Sequence, residues 1–134
     1  MKLAEPIFYS IQGESISLGF TAVFVRLAGC SLKCSFCDTK YSWGEGKEVS
    51  IKEVLGEIVK YPCKRVVITG GEPLEQRNEV SVLVDCLKIS KYFVEVETNA
   101  SISPGLNLLT NVDQWNVSPK TRKDLLNINQ TPTL

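Results

Sequence analysis

An α/β fold with a mostly parallel sheet is what this sequence predicts, and two observations carry the prediction. Short apolar, β-branched runs recur along the chain and alternate with stretches of helical period. The polar, glycine-bearing motifs fall where those runs end, which is where α/β sheets gather ligand-binding groups. Taken in order, Thr21 to Ala28 (TAVFVRLA) reads as a strand that Gly29 ends. Ser50-Ile51-Lys52-Glu53 is a capping box that opens a helix through about Lys60. Its apolar positions Ile51, Val54, Leu55, Ile58 and Val59 share one face, and Pro62 stops it. Arg65 to Thr69 (RVVIT) is a continuous apolar run, as expected of a strand buried on both faces. A second helix is predicted over Gln76 to Ser90, with Val80, Leu83, Val84 and Leu87 inward. Tyr92 to Thr98 and Gln114 to Ser118 read as the third and fourth strands, the last ended by Pro119. Strand, loop and helix repeated in this order imply right-handed crossovers. The tail from 121 to 134 is mostly polar. It is too short for two more units at ~5–6 residues per strand and ~11–12 per helix. An open sheet edge is therefore expected after the fourth strand, covered by a second copy or completed in a longer protein.

The chain has 134 residues, 43% of them hydrophobic and 22% charged, which suits one soluble domain spanning 1–134. Its formal net charge is zero and no basic block occurs, so nucleic acid is not an expected partner. No apolar run approaches the ~18–20 residues of a membrane span. Histidine is absent, which excludes Ser–His and Cys–His nucleophile pairs. Chemistry must come from thiolates, carboxylates, lysines, arginines or a cofactor. Five cysteines and no secretory signal point to thiols in a reducing cytoplasm rather than to disulfides.

Cys30, Cys34 and Cys37 form C-x-x-x-C-x-x-C inside GCSLKCSFCDT. That set is one ligand short of a closed site. Four thiolates complete a structural zinc or a saturated iron–sulfur cluster. Three can hold three irons of a [4Fe–4S] cluster and leave the fourth open to a substrate or cosubstrate. A zinc site with Cys63 or Cys86 as fourth ligand is the alternative, although zinc favours paired C-x-x-C knuckles or Cys/His sets. Cys63 and Cys86 stand singly and read as small buried residues. The cysteine pattern is the signature of radical S-adenosylmethionine (SAM) enzymes, and Thr69-Gly70-Gly71-Glu72-Pro73 follows at a suitable distance.

In that reading, Gly70 and Gly71 let the backbone approach the methionine end of SAM. The pair would otherwise be a plain turn. Glu97 either accepts bonds from ribose hydroxyls or is an ordinary solvated strand end. Ser118-Pro119-Lys120 could contact the ribose or carboxylate of SAM. Arg26 lies mid-strand, where a lone guanidinium is costly, so it needs a carboxylate from protein or substrate. Asp38 and Thr39 offer oxygens of the kind magnesium prefers.

At these residues the chain resembles the 7-carboxy-7-deazaguanine synthase family of radical SAM lyases. The markers are Gln12-Gly13-Glu14, F-x-R before G-C, C-D-T, T-G-G-E-P, E-T-N and S-P-K. The resemblance implies a partial (βα) barrel of radical SAM type, here shortened at the C-terminus. It implies ring contraction of 6-carboxy-5,6,7,8-tetrahydropterin to 7-carboxy-7-deazaguanine with loss of ammonia, in queuosine and deazapurine biosynthesis. It implies a homodimer, magnesium, an electron donor such as flavodoxin or ferredoxin, and SAM used catalytically. Carried over by residue, Cys30, Cys34 and Cys37 hold the cluster and Thr39 contacts magnesium. Gly71, Glu72, Glu97 and Ser118 become SAM-site positions, and Gln12, Glu14 and Arg26 substrate contacts. Two departures stand out. The family's Q-G-E-G ends here in Ser15 and its E-T-N-G in Ala100, so a glycine suited to positive φ is replaced twice. A glycyl-radical activating enzyme is the alternative within enzymes, and a non-catalytic iron–sulfur or zinc module the alternative outside them.

Overall fold

The structure is a computed structural model and describes residues 1–34 and 36–120. All four predicted strands form and run parallel. They are β3 (Thr21–Leu27), β5 (Arg65–Gly70), β6 (Phe93–Thr98) and β7 (Gln114–Val117), side by side in that order. Three short strands, β1 (Lys2–Leu3), β2 (Phe8–Ile11) and β4 (Lys47–Glu48), add antiparallel pairing at the β3 side. Among the described residues the sheet order is β4-β1-β3-β5-β6-β7, with β2 also on β3. On the far side of β7 no strand is paired among the described residues. The tail read as too short for further units, 121–134, lies outside them.

The predicted helices are α1 (Ile51–Ile58) and α2 (Arg77–Ile89). The capping box is present in both directions: Ser50 Oγ accepts from Glu53 N at 3.2 Å and Glu53 accepts from Ser50 N at 2.7 Å. Val59 departs from the expected apolar face. It follows the last helical turn and is 64% exposed. On α2, Val80, Leu83, Val84 and Leu87 are fully buried. A third helix, α3 (Leu106–Asn111), was not expected. Gly105 precedes it without a side-chain cap, so the usual start signal is missing.

Strand alternation gives the sheet two unlike faces. Val23, Val25 and Leu27 of β3, Val66 and Ile68 of β5, and Val94 and Val96 of β6 join the helices in the main core. The opposite, inner face carries the alternate residues in register. One row runs Phe24, Val67, Glu95, Gln114. In the next, nearer the strands' C-terminal ends, Arg26 pairs with Thr69 and Glu97 with Asn116. This inner face is apolar on the β2–β3 side, where Phe8 stacks on Phe24, and polar towards β7.

Candidate active site

The C-terminal ends of β3, β5, β6 and β7 border one cavity of about 530 Å³. Cys30, Cys34 and Cys37 reach it from the loop after β3, Gly71 from the end of β5, Glu97 from β6 and Ser118 from beyond β7. Glu14, Arg26 and Thr39 also line it. Nine of the eleven sequence-predicted site residues thus share one space. The other two, Gln12 and Glu72, lie buried behind its wall, 2% and 0% exposed.

The cysteine loop is closed on itself and on the sheet. Gly29 N donates to Ser42 O at 2.6 Å, joining the loop's two ends. Within it, Cys37 N donates to Cys34 O and Ser42 N to Thr39 O. Beyond β5 the backbone continues as a ladder against this loop: Gly71 N donates to Leu27 O at 3.0 Å and Glu72 N to Gly29 O at 2.8 Å. A Cβ on Gly71 would overlap the Gly29 carbonyl and come within 2.9 Å of Cys30 Cβ. Glycine is therefore required here by the contact between the G-G-E-P segment and the first cysteine, a closer reason than a plain turn.

Glu72 is a tie between loops. Its Oε1 accepts from Leu74 N and Thr98 Oγ1, both at 2.9 Å, and its Oε2 accepts from Asn99 N at 2.8 Å. A carboxylate so enclosed has no face left for a ligand; it fixes the E-T-N turn against the G-G-E-P turn. Asn99, held this way, sets its amide 3.9 Å from Cys30 Sγ. Gln12 serves a similar purpose. Its Nε2 donates to Glu97 at 3.0 Å and to Glu95 at 3.4 Å, while its carbonyl accepts from Glu14 N at 3.2 Å. Glu97 also accepts from Thr69 Oγ1 at 2.6 Å, so it is an oriented strand-end carboxylate.

Arg26 finds the carboxylate its position demanded in Glu5, which accepts from Nε at 2.6 Å. Tyr41, from the turn after Thr39, donates to the same Glu5 oxygen at 3.1 Å, and its ring lies 5.9 Å from the guanidinium. Burial pushes the Tyr41 hydroxyl above its ordinary pKa, against the opposing pull of Arg26, which keeps it a donor. Nη1 and Nη2 of Arg26 have no partner among the described residues, and the side chain borders the cavity. Trp43 lines the same wall, and its buried Nε1 finds no acceptor there.

Both departures from glycine keep the backbone that glycine favours. Ser15 has φ 64° and Ala100 φ 62°. The loops have held their geometry and accepted a Cβ in the left-handed region.

Sequence reasoning missed Glu5, Tyr41, Asn99 and above all Glu95, which is fully buried. Glu95 did leave a signal. It alternates with Glu97 on one face of a strand, and a carboxylate inside a sheet needs donors.

The donor set suits an iron–sulfur cluster. Cys30, Cys34 and Cys37 lie on one loop at the edge of the cavity. Among the described residues no three of His, Cys, Asp or Glu converge on a point that would hold a single ion. A cluster does not ask for convergence, because each thiolate takes a different iron. The backbone cradle at Gly70 and Gly71 faces the same cavity.

Known proteins agree with this geometry. The 7-carboxy-7-deazaguanine synthase of Hyperthermus butylicus is 50% identical over 95 residues, covering 69% of this chain and 40% of its own. That of Rhodopirellula baltica is 39% identical over 134 residues, covering 98% of this chain and 50% of its own. The crystal structure of QueE from Escherichia coli superposes with a TM-score of 0.66 at 30% identity, over 75% of this chain and 53% of that one. The chain spans about half the length of the curated relatives it matches. The sequence profile of the radical SAM superfamily matches residues 24–130, most of the chain, and the chain therefore belongs to that superfamily.

Proposed function

We propose that this chain carries the cluster-binding and SAM-binding part of a 7-carboxy-7-deazaguanine synthase. The reaction is the ring contraction of 6-carboxy-5,6,7,8-tetrahydropterin with loss of ammonia. The observation that supports it most is the meeting of Cys30, Cys34 and Cys37 with Gly71, Glu97 and Arg26 around one cavity. When bound, the cluster and SAM together supply one-electron chemistry that generates a hydrogen-abstracting carbon radical. The protein's share is binding, orientation and exclusion of water.

In this reading Cys30, Cys34 and Cys37 hold three irons. Gly71 offers Cβ-free backbone at the methionine end of SAM. Glu97, already oriented by Thr69 and Gln12, accepts from the ribose, and Ser118 borders the same ligand. Arg26 presents Nη1 and Nη2 to the substrate carboxylate, with Nε occupied by Glu5. Glu14 approaches the pterin from the β2–β3 loop. Gln12 and Glu72 act from behind, setting these groups rather than touching ligand. Thr39 contributes its hydroxyl to magnesium beside the substrate. A reductant such as flavodoxin or ferredoxin, a homodimer and a cytoplasmic setting belong to the same proposal. No helix among the described residues is long and apolar enough to cross a membrane.

The test is anaerobic reconstitution followed by reduction with SAM and the carboxypterin. About 4 Fe per chain, formation of 5′-deoxyadenosine and appearance of the deazaguanine product are expected. Ala at Cys30, Cys34 or Cys37 should abolish SAM cleavage, whereas Cys63→Ala and Cys86→Ala should spare it. Arg26→Lys should raise KM, since a point charge cannot replace the planar fork. Stoichiometric zinc with no uptake of iron would sink the reading, and so would activation of a protein glycine alone.

A further inference from the structure

Glu95 is a fully buried carboxylate on the inner face of β6 that does not line the cavity, and four side chains converge on it. Arg65 Nη1 donates to Oε1. Gln12 Nε2, Gln114 Nε2 and Asn116 Nδ2 donate to Oε2 at 3.4, 3.3 and 3.0 Å. Three of these four donors also hold the loop that joins β2 to β3. Gln12 accepts from Glu14 N at 3.2 Å. Gln114 Nε2 donates to Ser15 Oγ at 3.1 Å. Arg65 Nη1 donates to Ser17 Oγ at 3.1 Å, and that hydroxyl donates on to Gln114 Oε1 at 3.0 Å.

The loop therefore crosses the polar half of the inner face and is fastened from below at three successive points. Its backbone closes the loop's base, Gln12 N donating to Phe20 O and Gly19 N to Gln12 O, both at 2.8 Å, while Ser15 at φ 64° turns the chain above it; the side-chain fastenings add to that closure. The direction of each amide is fixed as well. A carboxylate only accepts, so Glu95 forces the nitrogens of Gln12, Gln114 and Asn116 inward. The carbonyl of Gln12 is thereby turned to Glu14 N and that of Gln114 to Ser17.

We propose that Glu95 is a positioning residue: a buried anion that, through Arg65, Gln12 and Gln114, holds residues 12–17 in place as the wall that carries Glu14 into the cavity. The role of that wall in substrate binding rests on the function proposed above; the fastening does not. An isosteric amide at position 95 keeps the volume but loses one acceptor oxygen. It cannot satisfy Arg65 and three amides together, so the loop should loosen while the cysteine loop and the Glu97–Thr69 contact stay in place.

The experiment is hydrogen–deuterium exchange on the whole chain bearing Glu95→Gln, with steady-state kinetics alongside. Amides in 14–17 should exchange at least ~10-fold faster, with those of α1 unchanged. KM for the carboxypterin should rise about 10-fold while kcat and iron content hold. Ser17→Ala removes one fastening without disturbing the buried charge. It should speed exchange of the same amides ~2–3-fold, and it carries the test if Glu95→Gln does not fold. Unchanged exchange at 14–17 in the folded variant overturns the proposal and leaves the site reading untouched. Faster exchange with an unchanged KM upholds the fastening and overturns instead the assignment of this wall to the substrate.

Discussion

Replacing Glu72 by Gln tests whether this carboxylate ties two loops or touches a ligand. The substitution keeps the side chain's size and one carbonyl oxygen. That oxygen can retain Leu74 N and Thr98 Oγ1, which both bond to Oε1. The new amide nitrogen then replaces Oε2 and faces Asn99 N, so two donors meet in a fully buried place. A charge-assisted hydrogen bond is worth about 1.5–3 kcal/mol, and an unsatisfied buried donor costs about 1–3 kcal/mol. Turning the amide over saves one bond and loses two. The expected loss is therefore about 3–5 kcal/mol, against a typical total stability of about 5–15 kcal/mol. For a chain of this size that is a fall in Tm of roughly 10–20 °C. Thermal unfolding followed by far-UV circular dichroism under anaerobic conditions measures it, and amide exchange at Asn99 locates it. A loss below about 1 kcal/mol together with weakened SAM binding would refute the reasoning and return Glu72 to the ligand.

Ala100→Gly should stabilise the protein by about 0.5–1 kcal/mol in chemical denaturation, because relief of a left-handed Cβ exceeds the added freedom of the unfolded chain. Ser15→Gly should gain less or nothing, since it also removes the hydroxyl that accepts from Gln114 Nε2 and Ser17 N. Gly71→Ala should cost about 1–3 kcal/mol and lower the iron bound after reconstitution, because its Cβ pushes on Gly29 and Cys30. The backbone and hydroxyl of Ser50 hold the Glu53 carboxyl below the usual glutamate range. The stability this contributes is complete above about pH 4.3 and is lost as pH falls through the lowered value, so Glu53→Gln should flatten the acid limb of a stability–pH curve.

β3, β5 and β6 were legible as β-branched runs that end at a glycine or polar motif, and β7 through Pro119, which closes Gln114 to Ser118. Helix α1 was legible through Ser50 and Glu53. β1, β2 and β4 were not, since these short segments lack an apolar run with a stop signal and owe their existence to pairing with neighbours distant in sequence. Phe8–Ile11 becomes a strand only because β3 offers its edge. The site divides in the same way. Three thiols at fixed spacing name their own chemistry, and nine of the eleven residues read from motifs at strand ends line the cavity, while Asn99 and Trp43 on the same wall were not among the eleven. Gln12 and Glu72, read as ligand contacts, lie buried among protein partners behind the cavity wall. Sequence shows a residue next to a motif; only burial and partners show which way its side chain turns. Glu95 needed β5, β6, β7 and the β2–β3 loop to be assembled before its donors were visible.

The chain holds two tryptophans, and the fold has given them opposite surroundings. Trp115 packs against the main core, while Trp43 stands in the cavity wall beside the cysteine loop; neither indole N–H is claimed by a described residue, but only that of Trp43 lies by the cavity. One fluorophore is thus insulated from the chemistry and the other is exposed to it. Iron bound nearby will quench the second far more than the first, and a ligand acceptor reaching its N–H will shift its emission. Trp43→Phe isolates the reference signal and Trp115→Phe the reporting one, so cluster loading and ligand entry can be followed optically without a label.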